Sequence, residues 1–168
     1  MKDHKFYLVI ITIAVTGLAW ASRATAAETG PVNAGFEEGE PGQPPPHWYV
    51  PKIDGYHVRL SKEKTNSGEQ CLAIQRGEGT AGPFGNVMQQ VDAAPYRGQR
   101  VRFRAAVRTQ SENEQGTAHL WLRVDLPKKR VGFFDNMFNR PIDNKDWDHY
   151  EIFGDVADNA DVINIGMF

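Results

Sequence analysis

The sequence predicts an all-β chain folded as a two-sheet antiparallel β-sandwich. Three observations point there. Short segments of alternating apolar and polar residues recur along the chain, and Gly-, Pro- and Asn-rich turns separate them. No stretch of ten or more residues carries an apolar stripe at the helical period. With 168 residues there is room for one core and little more.

Residues 1–26 read as a secretory signal. Lys2 and Lys5 give a positive start, an apolar run of 15 residues follows (FYLVIITIAVTGLAW), and Ala24-Thr25-Ala26 supplies the small-x-small cleavage pattern. That run falls short of the roughly 20 residues a membrane span needs. The expectation is therefore export, to the periplasm or beyond the cell, with no membrane span left after cleavage. Cutting after Ala26 removes Lys2, Lys5, Arg23 and Asp3, so 142 residues remain with 16 basic and 20 acidic side chains. Residues 27–46 are rich in Gly, Pro and Glu and include Pro44-Pro45-Pro46. They predict an extended arm that includes the first strand, since proline forbids helix and central ladder. Residues 47–168 form the sandwich body, one domain with the arm.

Within the body, 56–60 (YHVRL), 70–75 (QCLAIQ) and 86–91 (NVMQQV) read as strands, with a Gly-rich loop over 77–85. Residues 100–109 (RVRFRAAVRT) alternate strongly, and 118–126 (AHLWLRVDL) is the clearest strand of all. Segments 147–156 and 162–168 complete the set, and 133–140 reads as a loop.

Alternation assigns faces. Val101, Phe103, Ala105 and Val107 point one way, and Arg100, Arg102, Arg104 and Arg108 the other. Leu120, Leu122, Val124 and Leu126 belong to the core, which leaves Trp121 on a polar face with Arg123 and Asp125. If the two segments pair as a hairpin, Trp121, Arg123, Asp125, Arg102 and Arg104 share one surface. A Trp among charges suits a sugar platform, where the ring stacks on a pyranose and the charges take its hydroxyls. The same ring could instead be covered by an Arg or by the 133–140 loop.

Composition narrows the chemistry. A single Cys excludes an internal disulfide and any CxxC motif, and Cys71 reads as a small buried hydrophobe. A net charge of -2, falling to -4 after cleavage, argues against a nucleic-acid partner. No GxSxG, HExxH or P-loop is present, the histidines are scattered, and the acidic C-terminal stretch does not follow the EF-hand spacing. Catalysis by this chain alone is not expected.

Several motifs carry a resemblance. Asn33-Ala34-Gly35-Phe36-Glu37-Glu38, Pro46-His47-Trp48 and residues 67–74 (SGEQCLAI) are similar to carbohydrate-binding-module-like jelly rolls with a galactose-binding-domain fold. Residues 96–101 (YRGQRV), 120–125 (LWLRVD), 134–137 (FDNM), Arg140-Pro141-Ile142 and Asp146-Trp147 with Tyr150 resemble one bacterial subgroup. Its members stand alone or are attached to erythromycin-esterase-like, peptidase-like or regulator proteins. The resemblance covers residues 31–168 and implies a jelly-roll sandwich with a ligand on one concave sheet. It also implies a structural Ca²⁺ near the N-terminal motif, where Glu37 and Glu38 take the metal-binding positions. The subgroup continues with a final strand, which this sequence lacks after Phe168. The chain is then either a truncated fragment or a sandwich without its last strand, and one Ca²⁺ ligand goes with that strand.

The functional expectation is an exported, non-catalytic binding module for a carbohydrate or glycan. The alternatives are a structural or protein-interaction module, and an accessory or remnant domain of a secreted esterase- or peptidase-like protein.

Overall fold

In the computed structural model, the described residues are the backbone of 4–11 and residues 30–77, 82–110 and 116–168. Strand β1 is His4–Ile11, β2 Tyr56–Ser61, β3 Cys71–Arg76, β4 Val87–Asp92 and β5 Arg100–Arg108. They are followed by β6 Leu120–Leu126, β7 Arg130–Asp135, β8 Asp148–Asp155 and β9 Val162–Met167. Two sheets result, in the orders β2-β3-β1-β5-β8 and β4-β9-β6-β7, with every pairing antiparallel. The predicted β-sandwich is the architecture found.

The alternation read from the sequence builds the core. Leu72, Ile74, Val101, Phe103, Ala105, Val107 and Ile152 of the first sheet meet Val87, Leu120, Leu122, Val124, Ile163 and Ile165 of the second. None of them is more than 4% exposed. Burial of these branched and aromatic side chains supplies the main driving force, at roughly 25 cal/mol per Å² of apolar surface.

Three elements depart from the sequence reading. First, β7 begins in a stretch to which the sequence reading assigns no element and runs into the expected loop. The β6–β7 connection is a tight turn at Pro127–Lys129, in which Lys128 and Lys129 both take left-handed φ (63° and 57°) without the Gly or Asn that usually marks such a turn. A bulge then shifts the ladder, so that Phe133 faces Val124 while Val131 faces Asp125. The extra residue, Gly132, breaks the period-2 pattern.

Second, the arm contains no strand among its described residues. Residues 30–46 form turns, and the first ladder contact is an isolated bridge from Tyr49 to Met88. Side chains hold the arm instead. Phe36 is fully buried with a left-handed φ of 60°, and its ring packs on Trp48 at 5.0 Å. The Trp48 indole N–H donates to the Asn33 carbonyl at 3.2 Å. From β4, the Gln89 amide accepts from Val32 N–H at 2.7 Å and donates to the Val32 and His47 carbonyls at 3.0 and 2.8 Å. Proline at 44–46 denies the arm a ladder, and these side-chain bonds take the ladder's place.

Third, His4–Ile11 lies inside the segment read as a leader, yet forms the central strand of the first sheet. It is antiparallel to both β3 and β5, with Phe6 opposite Ile74 and Leu8 opposite Leu72 and Val107. The Ala24-Thr25-Ala26 cleavage pattern lies outside the described residues.

Candidate functional site

The five expected ligand-binding residues divide between two surfaces. Trp121, Arg123 and Asp125 sit on β6, and Arg102 and Arg104 on β5, in the other sheet. The hairpin that would have joined them does not form. The chain crosses from one sheet to the other between β5 and β6, so β5 pairs with β1 and β8 while β6 pairs with β7 and β9. The two outer faces point in opposite directions. Arg102 and Arg104 turn instead to Glu151 of β8, at 3.6 and 3.1 Å.

On the second sheet's outer face, Trp121 lies outside the main core but is only 9% exposed. Its indole N–H donates to Asn86 Oδ1 at 3.1 Å. The ring lies over Gly166, where an added Cβ would come within 2.7 Å of it. Beside it runs a polar chain: Gln90 donates to Asn164 Oδ1 at 2.9 Å, and both Asn164 and Arg123 donate to Asp125 Oδ2 at 2.9 Å. Asn164 is fully buried, so these bonds satisfy a polar group that would otherwise be costly to enclose. Trp121 is thus a covered ring held in a polar network, with little free face to offer a ligand.

Glu37 and Glu38 also diverge. Glu37 Oε2 accepts from Glu69 N–H at 3.1 Å, next to Gly68, while Glu38 Oε2 lies 3.6 Å from His47 Nε2. Asn33 fixes this loop by accepting from Glu38 N–H at 3.0 Å and donating to the Pro46 carbonyl at 3.3 Å. Among the described residues, no three His, Cys, Asp or Glu side chains gather as a metal set. Glu37 thus ties the arm to residue 69, and Glu38 reaches toward His47.

The open concave surfaces lie elsewhere. One end of the sandwich holds a cavity of about 300 Å³, lined by Tyr56, Arg76, Phe84, Thr117, His119 and Phe168 among others. His119 stacks on Phe168 with ring centroids 4.9 Å apart and planes at 9°. Phe84 leans on the same Phe168 ring at 4.9 Å. Backbone bonds from His119 N–H to the Phe168 carbonyl (2.8 Å) and from Phe168 N–H back to the His119 carbonyl (3.0 Å) fix the two rings. His119 Nε2 lies 3.2 Å from Thr117 Oγ1, and its buried Nδ1 has no hydrogen-bond partner among the described residues.

A second hollow of about 590 Å³ lies between the arm and β2, where Trp48, Lys52, His57, Arg59 and Asn86 contribute. Tyr56 and Gly85 line both. Any Cβ at position 85 would press on Tyr56 and Ile74 at 2.6 and 2.7 Å, so glycine there allows the wall between the hollows to be thin. Sequence reasoning passed over this end. Its clue was an aromatic residue, Phe84, set between Pro83 and Gly85 in a loop where a solvated turn has no need of one. His119 and Phe168 come together only through the β6–β9 ladder and could not be paired from spacing.

Elsewhere, Arg140 bonds Asp135 at the end of β7, and Trp147 donates to the Lys64 carbonyl at 2.9 Å with Arg108 6.0 Å from its ring. Val131, Phe134 and Phe138 are exposed along the β7 edge.

No family model matches the chain. Over 87 residues, 51% of its length, it is 42% identical to an uncharacterized HTH-type transcriptional regulator, YbfP, of Bacillus subtilis (strain 168). The match spans 29% of that relative. The enzymatically active domain of tailspike protein 4 from bacteriophage CBA120 has a similar fold, with a TM-score of 0.53 and 12% identity. That likeness covers 73% of this chain and 17% of the tailspike chain.

Proposed function

We propose that the chain is an exported, non-catalytic binding module of the galactose-binding-like jelly-roll kind, and that its ligand is a saccharide or glycan seated in the end cavity. The observation that carries this reading is the ring cluster Phe84–Phe168–His119 beside Arg76 and Thr117. A sugar presents an apolar face of C–H groups and a rim of hydroxyls. The rings suit the first, while Arg76 and Thr117 suit the second. A volume of about 300 Å³ fits one or two sugar rings.

Recurrence of a similar segment within a longer regulator supports a module that serves several protein contexts. Among the described residues, no helix is long and apolar enough to cross a membrane. Export rests on the N-terminal charge and apolar pattern. The β7 edge, with Val131, Phe134 and Phe138 exposed, favours the second reading of a protein-interaction module.

Binding to a glycan array, followed by affinity electrophoresis in the retained polysaccharide, tests the proposal. Phe84→Ala is expected to weaken retention roughly tenfold, the loss of one ring–sugar stack, with an unchanged melting temperature. Trp121→Phe is expected to leave retention unchanged. Absence of retention on every glycan overturns the saccharide reading. Retention lost in Trp121→Phe but kept in Phe84→Ala moves the site to the second sheet.

A further inference from the structure

We propose that the hollow between the arm and β2 is a second ligand site, suited to a carboxylate-bearing sugar of the hexuronic acid kind. The proposal rests on the saccharide reading above and carries it to a separate place on the molecule, with its own residues. The hollow exists because the arm cannot stay paired with the sheet edge. Gly42 N–H donates to the Leu60 carbonyl at 2.9 Å and Leu60 N–H to the Gln43 carbonyl at 2.8 Å, a short ladder on the outer edge of β2. Pro44, Pro45 and Pro46 come next, and without N–H groups they cannot continue it. The arm leaves the edge there, and the chain returns through residues 48–53 to enter β2 from its other end. The opening of about 590 Å³ lies between.

Its lining divides by chemistry. Trp48, Val50, Tyr56 and Val58 give apolar walls, and Lys52 and Arg59 bring two positive charges. No Asp or Glu is among the lining residues, and Asp54, in the turn before β2, is not part of the wall. Neither Lys52 nor Arg59 enters a salt bridge among the described residues, whereas Arg102, Arg104, Arg123 and Arg140 each have a carboxylate partner. Asn86 adds a donor, because its Oδ1 is taken by the Trp121 N–H and the amino group is what it has left to offer. Gln75 and His57, which both donate and accept, complete the polar lining. Donors and positive charge therefore prevail, and they call for an acceptor-rich anion. Val58, two residues before Leu60, turns its N–H and C=O to the same outer edge, and neither has a hydrogen-bond partner among the described residues. Sugar hydroxyls donate as well as accept, so they suit both groups. A peptide strand does not suit this edge. Tyr56 N–H is held by the Ile53 carbonyl at 3.2 Å and Leu60 by the arm, so the open run is too short for strand addition. A ring with hydroxyls toward Val58, a carboxylate toward Lys52 and Arg59, and C–H faces on the apolar walls uses each part of the lining.

Calorimetric titration of the full chain tests the site. The probes are oligogalacturonate, oligomannuronate and hyaluronan fragments, each also as its uncharged methyl ester, with oligoglutamate as the peptide control. At least one acid is expected to bind, and its ester to bind at least roughly tenfold more weakly. Lys52→Gln is expected to weaken binding of the acid roughly tenfold, and Lys52→Gln with Arg59→Gln roughly a hundredfold, the loss of one and two charge-assisted hydrogen bonds. Lys52→Arg keeps the charge and is expected to keep the binding. Lys52 is exposed, so the single variant decides the matter if the double variant unfolds. Phe84→Ala, which strips the end cavity, is expected to leave acid binding unchanged. Four results overturn the proposal: no acid binds, the ester binds as well as the acid, Lys52→Gln changes nothing, or oligoglutamate binds as tightly. The two sites also fail separately. Neutral glycans lost in Phe84→Ala while no acid binds uphold the end cavity and sink this site; acid binding lost in Lys52→Gln while no neutral glycan is retained does the reverse.

Discussion

At the scale of single residues, the second sheet depends on the smallness of one position. Gly166 sits in β9 with the Trp121 ring over it, and a Cβ there would run into the Val87 carbonyl as well as the ring. The backbone φ is not the constraint; space is. Gly166→Ala is expected to destabilise the fold by about 1–3 kcal/mol, the usual cost of overpacking a fitted site. Urea unfolding checks it, with tryptophan emission as the probe. Phe36 shows a related economy. A phenylalanine in the left-handed region is strained, and full burial against Trp48 offsets that strain.

At the scale of elements, the arm is the part most dependent on a few bonds. Gln89 alone makes three hydrogen bonds to its backbone, at Val32 and His47. Gln89→Leu preserves the size of the side chain but leaves those groups without partners. The expected cost is about 1–3 kcal/mol, with faster proteolysis inside residues 30–50 measured at a fixed protease concentration. Gln89 was invisible as an anchor in the sequence, because it reads as one more polar residue in NVMQQV.

The strands themselves were legible where one face is buried and the other solvated, as in β5 and β6. Legibility failed where that rule is broken. β7 carries a bulge at Gly132 and a turn made by two lysines, and the arm replaces ladder bonds with side-chain bonds. For the site, the reading put Trp121 on a polar face with Arg123 and Asp125 but could not know which strand lay beside it. A one-dimensional pattern gives the face of a strand, and sheet membership is a property of the whole topology. The end cavity joins β2, β3, the 83–85 loop, residues 116–119 and the end of β9, segments far apart in the chain, so no local spacing signals it.

At the scale of the whole molecule, charge sets the pH range of the fold. Burial pushes the Cys71 thiol up to about 11 from an ordinary 9, against the lowering influence of Arg108 and Arg59. Because the folded value is raised, the stabilisation is complete below pH 9 and is lost as pH rises toward 11. Stability is therefore expected to fall across that window, and Cys71→Ala to flatten the fall, as measured by denaturant midpoints at a series of pH values. The same burial predicts that alkylating reagents leave Cys71 unmodified at pH 8 until the chain unfolds.

The acid side has the opposite sign. Burial tends to raise Asp135, but the bonds from Arg140 and the Met137 N–H outweigh it, and the carboxyl ends below its ordinary 3.8. That stabilisation is present above pH 3.8 and is lost as pH falls through the lowered value, so Asp135→Asn is expected to weaken the pH dependence of the acid limb.

The ladder pattern also has a consequence in time. Val87 pairs with Met167, Leu120 with Met167, Arg100 with Asp155 and Phe6 with Ile74, so most strands wait for a partner from a distant part of the chain. Sheets assembled from such contacts close in milliseconds to seconds rather than microseconds. While β8 and β9 are still being synthesised, β4 has no partner and β5 and β6 each lack one, so the two sheets close only once the C-terminal part of the chain is made.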